Sequence, residues 1–392
     1  MFLVVKLRKT ILIMVLLLSA AILLSLLFFS PSPDAKPASA TPNITGVPDT
    51  TDTPAATAPP GMSDQAVMAL IEDVIAVRNS SLLKGDLETI KKFYDTKVQN
   101  GLYAYDHEVK KTKYLQNWAQ KQGVAFTYIT AKIQKKWINH KGDRITANFL
   151  ASTEYRYAYK DRPQEGNMLR IGTYHEIVFQ RRDRAWLITR EWYTDPFADS
   201  LDLENIDAQE NREYILSQKA AESLDLNERR LKAVEYADAY CGAADSGENS
   251  YSYNKKYKNY NSMGGDCANY ASQVLHEGGR FKKTGSWNYA KDGSRAWLNA
   301  QGFKDYLIYS GRGSLIASGS YSEVLKASYK LLPGDIVAYQ KNGKVKHVSV
   351  VTGADSRGYA LVNCHNTDRY RVPWDLGWSD SKIKFYLIRV NY

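Results

Sequence analysis

The sequence predicts an α+β protein with two folded regions, each combining helices and a sheet, behind an N-terminal membrane helix. Three observations point there. Thr10–Phe29 is a twenty-residue run without a charge. Helical spacing over 64–96 gives way to four stretches of strand-like alternation. The last 160 or so residues place a cysteine at the start of a helix, upstream of a β-meander.

Lys6, Arg8 and Lys9 precede the apolar run. Its length suffices to cross the hydrocarbon core as a helix. No small-x-small cleavage site follows Phe29, because Ser30-Pro31-Ser32-Pro33 places prolines there. Residues 1–30 therefore read as a transmembrane signal anchor rather than a cleaved signal, the alternative being secretion after cleavage. The basic cluster keeps the amino terminus in the cytoplasm and the remainder outside. Residues 31–61, built mostly from Pro, Ala, Thr, Ser and Asp with no aromatic residue, read as a disordered tether.

Residues 62–200 form the first region. Val67, Leu70, Ile71, Val74, Ile75 and Val77 recur at helical spacing, and Gly85-Asp86 breaks the pattern before Leu87, Ile90, Phe93 and Tyr94. Ala125–Gln134, Arg144–Tyr159, Met168–Gln180 and Ala185–Tyr193 then alternate as strands. Helices followed by long strands predict a curved sheet packed on helices. In topology and in its helix–Gly-Asp–helix opening, this region resembles the nuclear-transport-factor-2-like (NTF2-like) fold. His107, His140 and His175 lack metal-ligand spacing, so the region reads as a spacer or binding module. Arg181-Arg182-Asp183-Arg184 reads as a solvated hairpin turn. Residues 201–227 read as a connecting helix.

The chemistry concentrates in residues 228–392. In Gly264-Gly265-Asp266-Cys267-Ala268-Asn269-Tyr270-Ala271-Ser272-Gln273, the cysteine stands at the first turn of a helix. Helix-terminal amides there favour a thiolate, which predicts a lowered thiol pKa. Asp266 reads as the helix cap, and His276 as a packing residue. Leu332-Pro333-Gly334-Asp335 is a turn, Ile336–Tyr339 a strand, Lys341–Lys344 a hairpin, and His347–Thr352 the next strand; Tyr359–His365 follows as another. That meander brings the end of one strand, with Asn363 and His365, toward the start of another, with His347. The arrangement predicts a Cys–His pair with a polar third member, His365 or Asn363, orienting the base. Tyr251–Tyr260, rich in Tyr, Lys and Asn, is either a groove rim or a loop. Trp287, Trp297, Trp374 and Trp378 supply rings for a core or for a groove that stacks on sugar or peptide.

Arg229–Tyr240, the block Gly264–Gln273, the Leu332–Asp335 turn, His347 and the run His365-Asn366-Thr367-Asp368-Arg369-Tyr370 closely resemble the putative amidase domain family of secreted bacterial proteins, over about residues 228–390. That family is similar in plan to the NlpC/P60 and CHAP cysteine peptidases, whose papain-like core sets a helix-borne cysteine against a histidine on the sheet. The resemblance implies Cys267 as nucleophile, His347 as base, and His365 (alternatively Asn363) as third member. It also implies a hydrolase acting on C–N bonds, with peptidoglycan peptides or another extracellular amide as substrate. This chain has His365-Asn366 where the family more usually has His-Thr. The same fold without activity, a wall-binding module, is the competing expectation.

Charge and cysteine count exclude other classes. The net charge of +10 divides into +1 over 1–61, +5 over 62–200, −4 over 201–230 and +8 over 231–392. An excess spread over two regions, with no recognition motif, argues against a nucleic-acid partner and suits an anionic envelope. Cys241, Cys267 and Cys364 are too few, and odd in number, for a disulfide framework. Neither HExxH nor paired CxxC occurs, so no metal or other cofactor is expected, and a site built from Cys364, His365 and His347 is rejected.

Overall fold

The computed structural model describes residues 62–197, 209–221, 223–244, 251–378 and 382–392. The expected signal anchor and tether lie outside these residues. Among the described residues, no helix is long and apolar enough to cross a membrane.

Helix α1, Asp64–Lys84, starts where the Ser63 hydroxyl accepts the Ala66 amide at 3.2 Å and stops at Gly85 in the left-handed region. Its buried stripe of Val67, Ile71, Val74 and Ile75 packs on the first sheet. A short turn of helix, α2 (Glu88–Lys91), leads to α3 (Gln99–Gln122). Four antiparallel strands follow: β1 (Val124–Lys141), β2 (Arg144–Tyr159), β3 (Gly166–Arg182) and β4 (Ala185–Tyr193). Bulges at Phe126/Tyr128 and Lys135/Trp137 bend the long β1, as wrapping a sheet around helices requires. The basic run Arg181–Arg184 is the β3–β4 turn, with Asp183 at positive φ.

The connecting segment departs from the expected continuous helix. Among the described residues, helix α4 covers Gln209–Ser217, and residues 218–221 and 223–227 are not helical. The break has a physical cause: the Arg357 guanidinium donates to the carbonyls of Leu216 and Gln218, taking the acceptors on which a further turn depends. Helix α5 (Glu228–Ala239) then begins afresh, capped by the Asn227 side chain on Arg230 N at 3.0 Å.

Beyond α5 come α6 (Cys267–Gln273), which runs on as a π turn over Val274–Gly278, then α7 (Arg295–Leu298) and α8 (Ala300–Tyr309). The remainder is β5 (Gly313–Gly319), α9 (Tyr321–Ser328), β6 (Ile336–Lys341), β7 (Lys344–Ala354), β8 (Ala360–Cys364), β9 (Asp368–Pro373) and β10 (Lys384–Val390). Asn342-Gly343, both at positive φ, make the predicted tight β6–β7 hairpin.

The two regions share one sheet, in the order β1-β2-β3-β9-β8-β7-β6-β10-β5, with β4 also on β3. One edge of β3 is divided: β4 takes His175–Arg182, and β9 takes Arg170–Gly172 against Tyr370–Asp368. Position 172 must be glycine, because a Cβ there would collide with the backbone of Ala243. Side chains alternate across the C-terminal sheet. Ile336, Ala338, Val348 and Val350 pack under α5, α6 and α8. Val337, Tyr339, Val351 and Val362 face a second core that includes Tyr114, Leu115 and Trp118 of α3 and Tyr155, Tyr157 and Tyr159 of β2. That core therefore belongs to both regions.

Asp375 anchors it. Its fully buried carboxylate pairs with Lys121 and accepts from Trp118 Nε1 at 3.2 Å and from the Tyr359 hydroxyl at 2.8 Å. Removing one partner of a buried, hydrogen-bonded ion pair costs about 3–5 kcal/mol. Asp375→Ala is therefore expected to destabilise the whole fold by about that amount, read as a lowered urea midpoint with one cooperative transition; separate transitions for the two regions would contradict the shared core.

Candidate active site

The loop before α6 is shaped by its glycines. After a 3₁₀ turn at Asn261–Met263, Gly264 and Gly265 take φ of 100° and 125°. Only glycine adopts the second value readily, and a Cβ on Gly265 would meet the Asn366 side chain. The Asp266 amide donates to Asn366 Oδ1 at 2.6 Å, tying this loop to the β8–β9 turn.

Asp266 occupies the cap position of α6 but makes no capping hydrogen bond to the helix. Its Oδ1 accepts from Tyr260 N at 2.9 Å and from Asn269 Nδ2 at 2.8 Å, and its Oδ2 pairs with His365 Nδ1 at 2.5 Å. The cap read from sequence is thus a histidine partner. His365 Nε2 donates to the Tyr240 carbonyl at 2.7 Å, and the ring lies 4.2 Å from that of Tyr270. Burial disfavours the charged imidazole, but the hydrogen bond and charge of Asp266, helped by Asp368 and the Tyr240 carbonyl, raise its pKa above the ordinary value. Acceptors at both nitrogens favour the charged form of the ring.

Cys267 is the first residue of α6, as predicted, and is 5% exposed. The lowered thiol pKa does not follow. Burial pushes the thiol up to about 12, outweighing hydrogen bonding with backbone at Val348 and Ala268. A helix of seven residues with its first side chain turned inward loses more by desolvation than the helix end returns.

His347 and Cys267 lie on opposite faces of the sheet. Cys267 packs with Val348 and Val350 beneath α6. The His347 ring, one residue from Val348, stacks on Trp378 at 5.2 Å and lies 5.5 Å from Tyr339, both in the other core. A bulge explains the direction. The β6–β7 register slips between Tyr339↔His347 and Gln340↔Val345, inserting Lys346, so that Val345 packs on the α6 side while His347 turns away. The buried His347 Nε2 has no hydrogen-bond partner, and burial together with the Arg369 charge drives its pKa well below the ordinary value. His347 is a neutral ring in an aromatic core.

Asn363 is paired with Val350 in the β7–β8 register and lies on the α6 side. Its Oδ1 accepts from Thr352 Oγ1 at 2.9 Å and Arg371 N at 2.7 Å, while its Nδ2 donates to Asp238 at 2.9 Å. Its polar atoms are thus spent on bracing the sheet. The expected convergence of Asn363 or His365 on His347 is replaced by the convergence of His365 on Asp266. His276 is a packing residue, donating from Nδ1 to the Phe281 carbonyl and set edge-on to Trp297.

A groove of about 640 Å³ opens beside the Gly264-Gly265 loop. Its lining includes Tyr251 and Tyr253 from the tyrosine-rich tract, Asn366 from the β8–β9 turn, and Tyr174 and Trp192 from the first region. The tract thus forms a rim, with the Tyr251 hydroxyl on the Lys132 carbonyl and that of Tyr253 on Asp368. Sequence reasoning missed Tyr174 and Trp192, because nothing local signals that β3 and β4 stand beside β9.

Comparison with known proteins places a class on the C-terminal region: residues 227–388 match the family described as Putative amidase domain. The chain is also 28% identical over 153 residues to the uncharacterized protein YhbB of Bacillus subtilis, covering 37% of this chain and 43% of that protein. The match thus spans less than half the length of that relative. Among solved structures, a putative dehydratase of the NTF2-like family from Streptomyces avermitilis is 10% identical, covering 32% of this chain and 94% of its own, with a TM-score of 0.24. An NTF2-like protein from Pseudomonas putida is 15% identical, covering 36% and 93%, with a TM-score of 0.20.

Two outcomes test the electrostatics. Because the folded pKa of His365 is raised, its contribution to stability is complete below the unfolded value of about 6.5 and is lost as pH rises through the folded value. The stability gap between the protein and His365→Gln should shrink as urea denaturation is repeated upward from pH 6; a constant gap would refute the charged pair. Cys267 should react with iodoacetamide at least about tenfold more slowly than a free peptide thiol at pH 8, since almost none of it is thiolate; labelling at the peptide rate would contradict the buried thiol.

Proposed function

We propose that this protein is a cysteine-dependent amide hydrolase whose nucleophile is Cys267. The observation that carries the reading is the arrangement at one helix start: the thiol follows directly on Asp266, whose carboxylate holds His365, and the preceding glycines border an open groove. The match to an amidase family over the same residues supports it.

The thiol passes its proton to solvent water as sulfur attacks the amide carbon, forming a tetrahedral intermediate. His365, protonated and oriented by Asp266, is the group suited to give a proton to the departing amine. The neutral imidazole that results takes a proton from the water that attacks the thioester, restoring the imidazolium, and the thiolate that departs regains from solvent the proton it released. For this, Nε2 must exchange the Tyr240 carbonyl for the reacting groups, and the buried thiol must become accessible; the described geometry corresponds to a resting site. His347 lies outside this set. We assign peptidoglycan peptides as substrate and the extracytoplasmic face of the membrane as location, on the basis of the N-terminal apolar run and the basic charge of both regions.

A second reading, a wall-binding module without activity, is favoured by the burial of Cys267 and the burial of His347 in the opposite core. Digestion of purified wall separates the two. Cys267→Ala should lower release of soluble fragments by at least about 10³-fold, in the range typical of losing a nucleophile. His365→Gln should follow it, while His347→Phe, which retains the ring stack on Trp378, keeps activity. Retained activity in Cys267→Ala sinks the nucleophile; loss in a folded His347→Phe with His365→Gln unaffected returns the base to His347. Wall binding without turnover by the unaltered protein establishes the module.

A further inference from the structure

The groove beside Gly264-Gly265 is built by both regions, and its lining says what it holds. Trp192, on β4, is 60% exposed, and Tyr174, on β3, is 37% exposed; both rings line the groove. Large aromatic surface left in water beside a cavity is surface available for stacking. Apart from Asp368, the polar part of the lining is amides and hydroxyls, among them Asn259, Asn261, Asn366, Thr194, Thr367 and Ser262.

Charge narrows the choice further. The chain carries 52 lysines and arginines, yet none is among the described residues that line this groove. Its one carboxylate there, Asp368, is already engaged through Oδ2 by the Ala243 amide at 2.7 Å and the Tyr253 hydroxyl at 2.5 Å. The other oxygen, Oδ1, is buried without a partner, an acceptor that a ligand hydroxyl or amide N–H would satisfy. A peptide rich in charge finds no counter-charge here. A saccharide ring has one apolar face for an aromatic platform and equatorial hydroxyl and acetamido groups for amide and hydroxyl partners.

We propose that the groove is a saccharide site to which the first region contributes the stacking platform, Trp192 and Tyr174, so that this region is part of the substrate site rather than a spacer. The proposal deepens the amidase reading and rests on it only for the identity of the amide: the saccharide would be the glycan that carries the peptide, held while the Cys267 helix addresses its amide.

The test uses the full chain carrying Cys267→Ala, which removes turnover, and a β-1,4-linked tetramer of N-acetylhexosamine as probe. Calorimetric titration should show binding, and tryptophan fluorescence should shift on saturation. Adding Trp192→Ala should weaken binding about tenfold or more, with a smaller loss for Tyr174→Ala; Trp192 is exposed, so its truncation leaves the fold intact. No binding of the tetramer, or equal binding with and without Trp192, overturns the proposal. So does Trp192-dependent binding of a sugar-free stem peptide in place of the tetramer, which makes the occupant a peptide. None of these results depends on hydrolysis. Failure of the saccharide site therefore appears as lost binding, whereas failure of the hydrolase reading appears as undiminished wall digestion by Cys267→Ala.

Discussion

The divided edge of β3 is the constraint from which the arrangement of the site follows. A strand offers one row of donors and acceptors per edge, and β3 gives the early part of one row to β9 and the later part to β4. Three ladder pairs fix Asp368 opposite Gly172, and the close approach at Gly172 brings the Ala243 backbone against the joint. From there the contacts propagate. Asp368 receives the Ala243 amide and the Tyr253 hydroxyl, Asn366 receives the Asp266 amide, and the loop leading to Cys267 is thereby positioned against a strand more than ninety residues away in sequence.

The two histidines of the C-terminal region show how burial leads to opposite charge states. Both rings are buried, and desolvation alone would leave both neutral. His365 meets carboxylates and a carbonyl, and keeps its proton. His347 meets aromatic rings and the positive Arg369, and loses it. A one-residue bulge separates these outcomes, since it decides which core receives His347.

Much of the architecture was legible in the sequence. Gly85, Asn342-Gly343 and the alternation from Arg144 to Tyr193 marked elements that formed where expected, because each depends on local backbone preference. The position of Cys267 at a helix start was legible for the same reason. What could not be read was facing. Ile336–Tyr339 and His347–Thr352 are buried on both faces, so polar His347, Ser349 and Thr352 are as enclosed as the valines between them and alternation no longer tells inside from outside. The bulge at Lys346 left no signal either. The end of the connecting helix was hidden because Arg357, which takes its carbonyls, lies about 140 residues downstream. Asp266 looked like a cap because a residue type suited to capping stood in the capping place, and only the folded structure brings His365 to it.

The shared core has a consequence for how such a protein can change over time. Trp118, Tyr157 and Trp374 fill one interior from both sides of the presumed boundary, and β9 is covered along part of its edge by β3. Excising the first region would uncover that interior and leave an open strand edge, the combination that drives chains to associate with one another. The C-terminal region of this chain is consequently not a portable cassette. Its neighbour behaves as a resident wall of the same building, so recombination that exchanges one without the other must also supply a strand to lie beside β9 and an aromatic surface to close over Trp374.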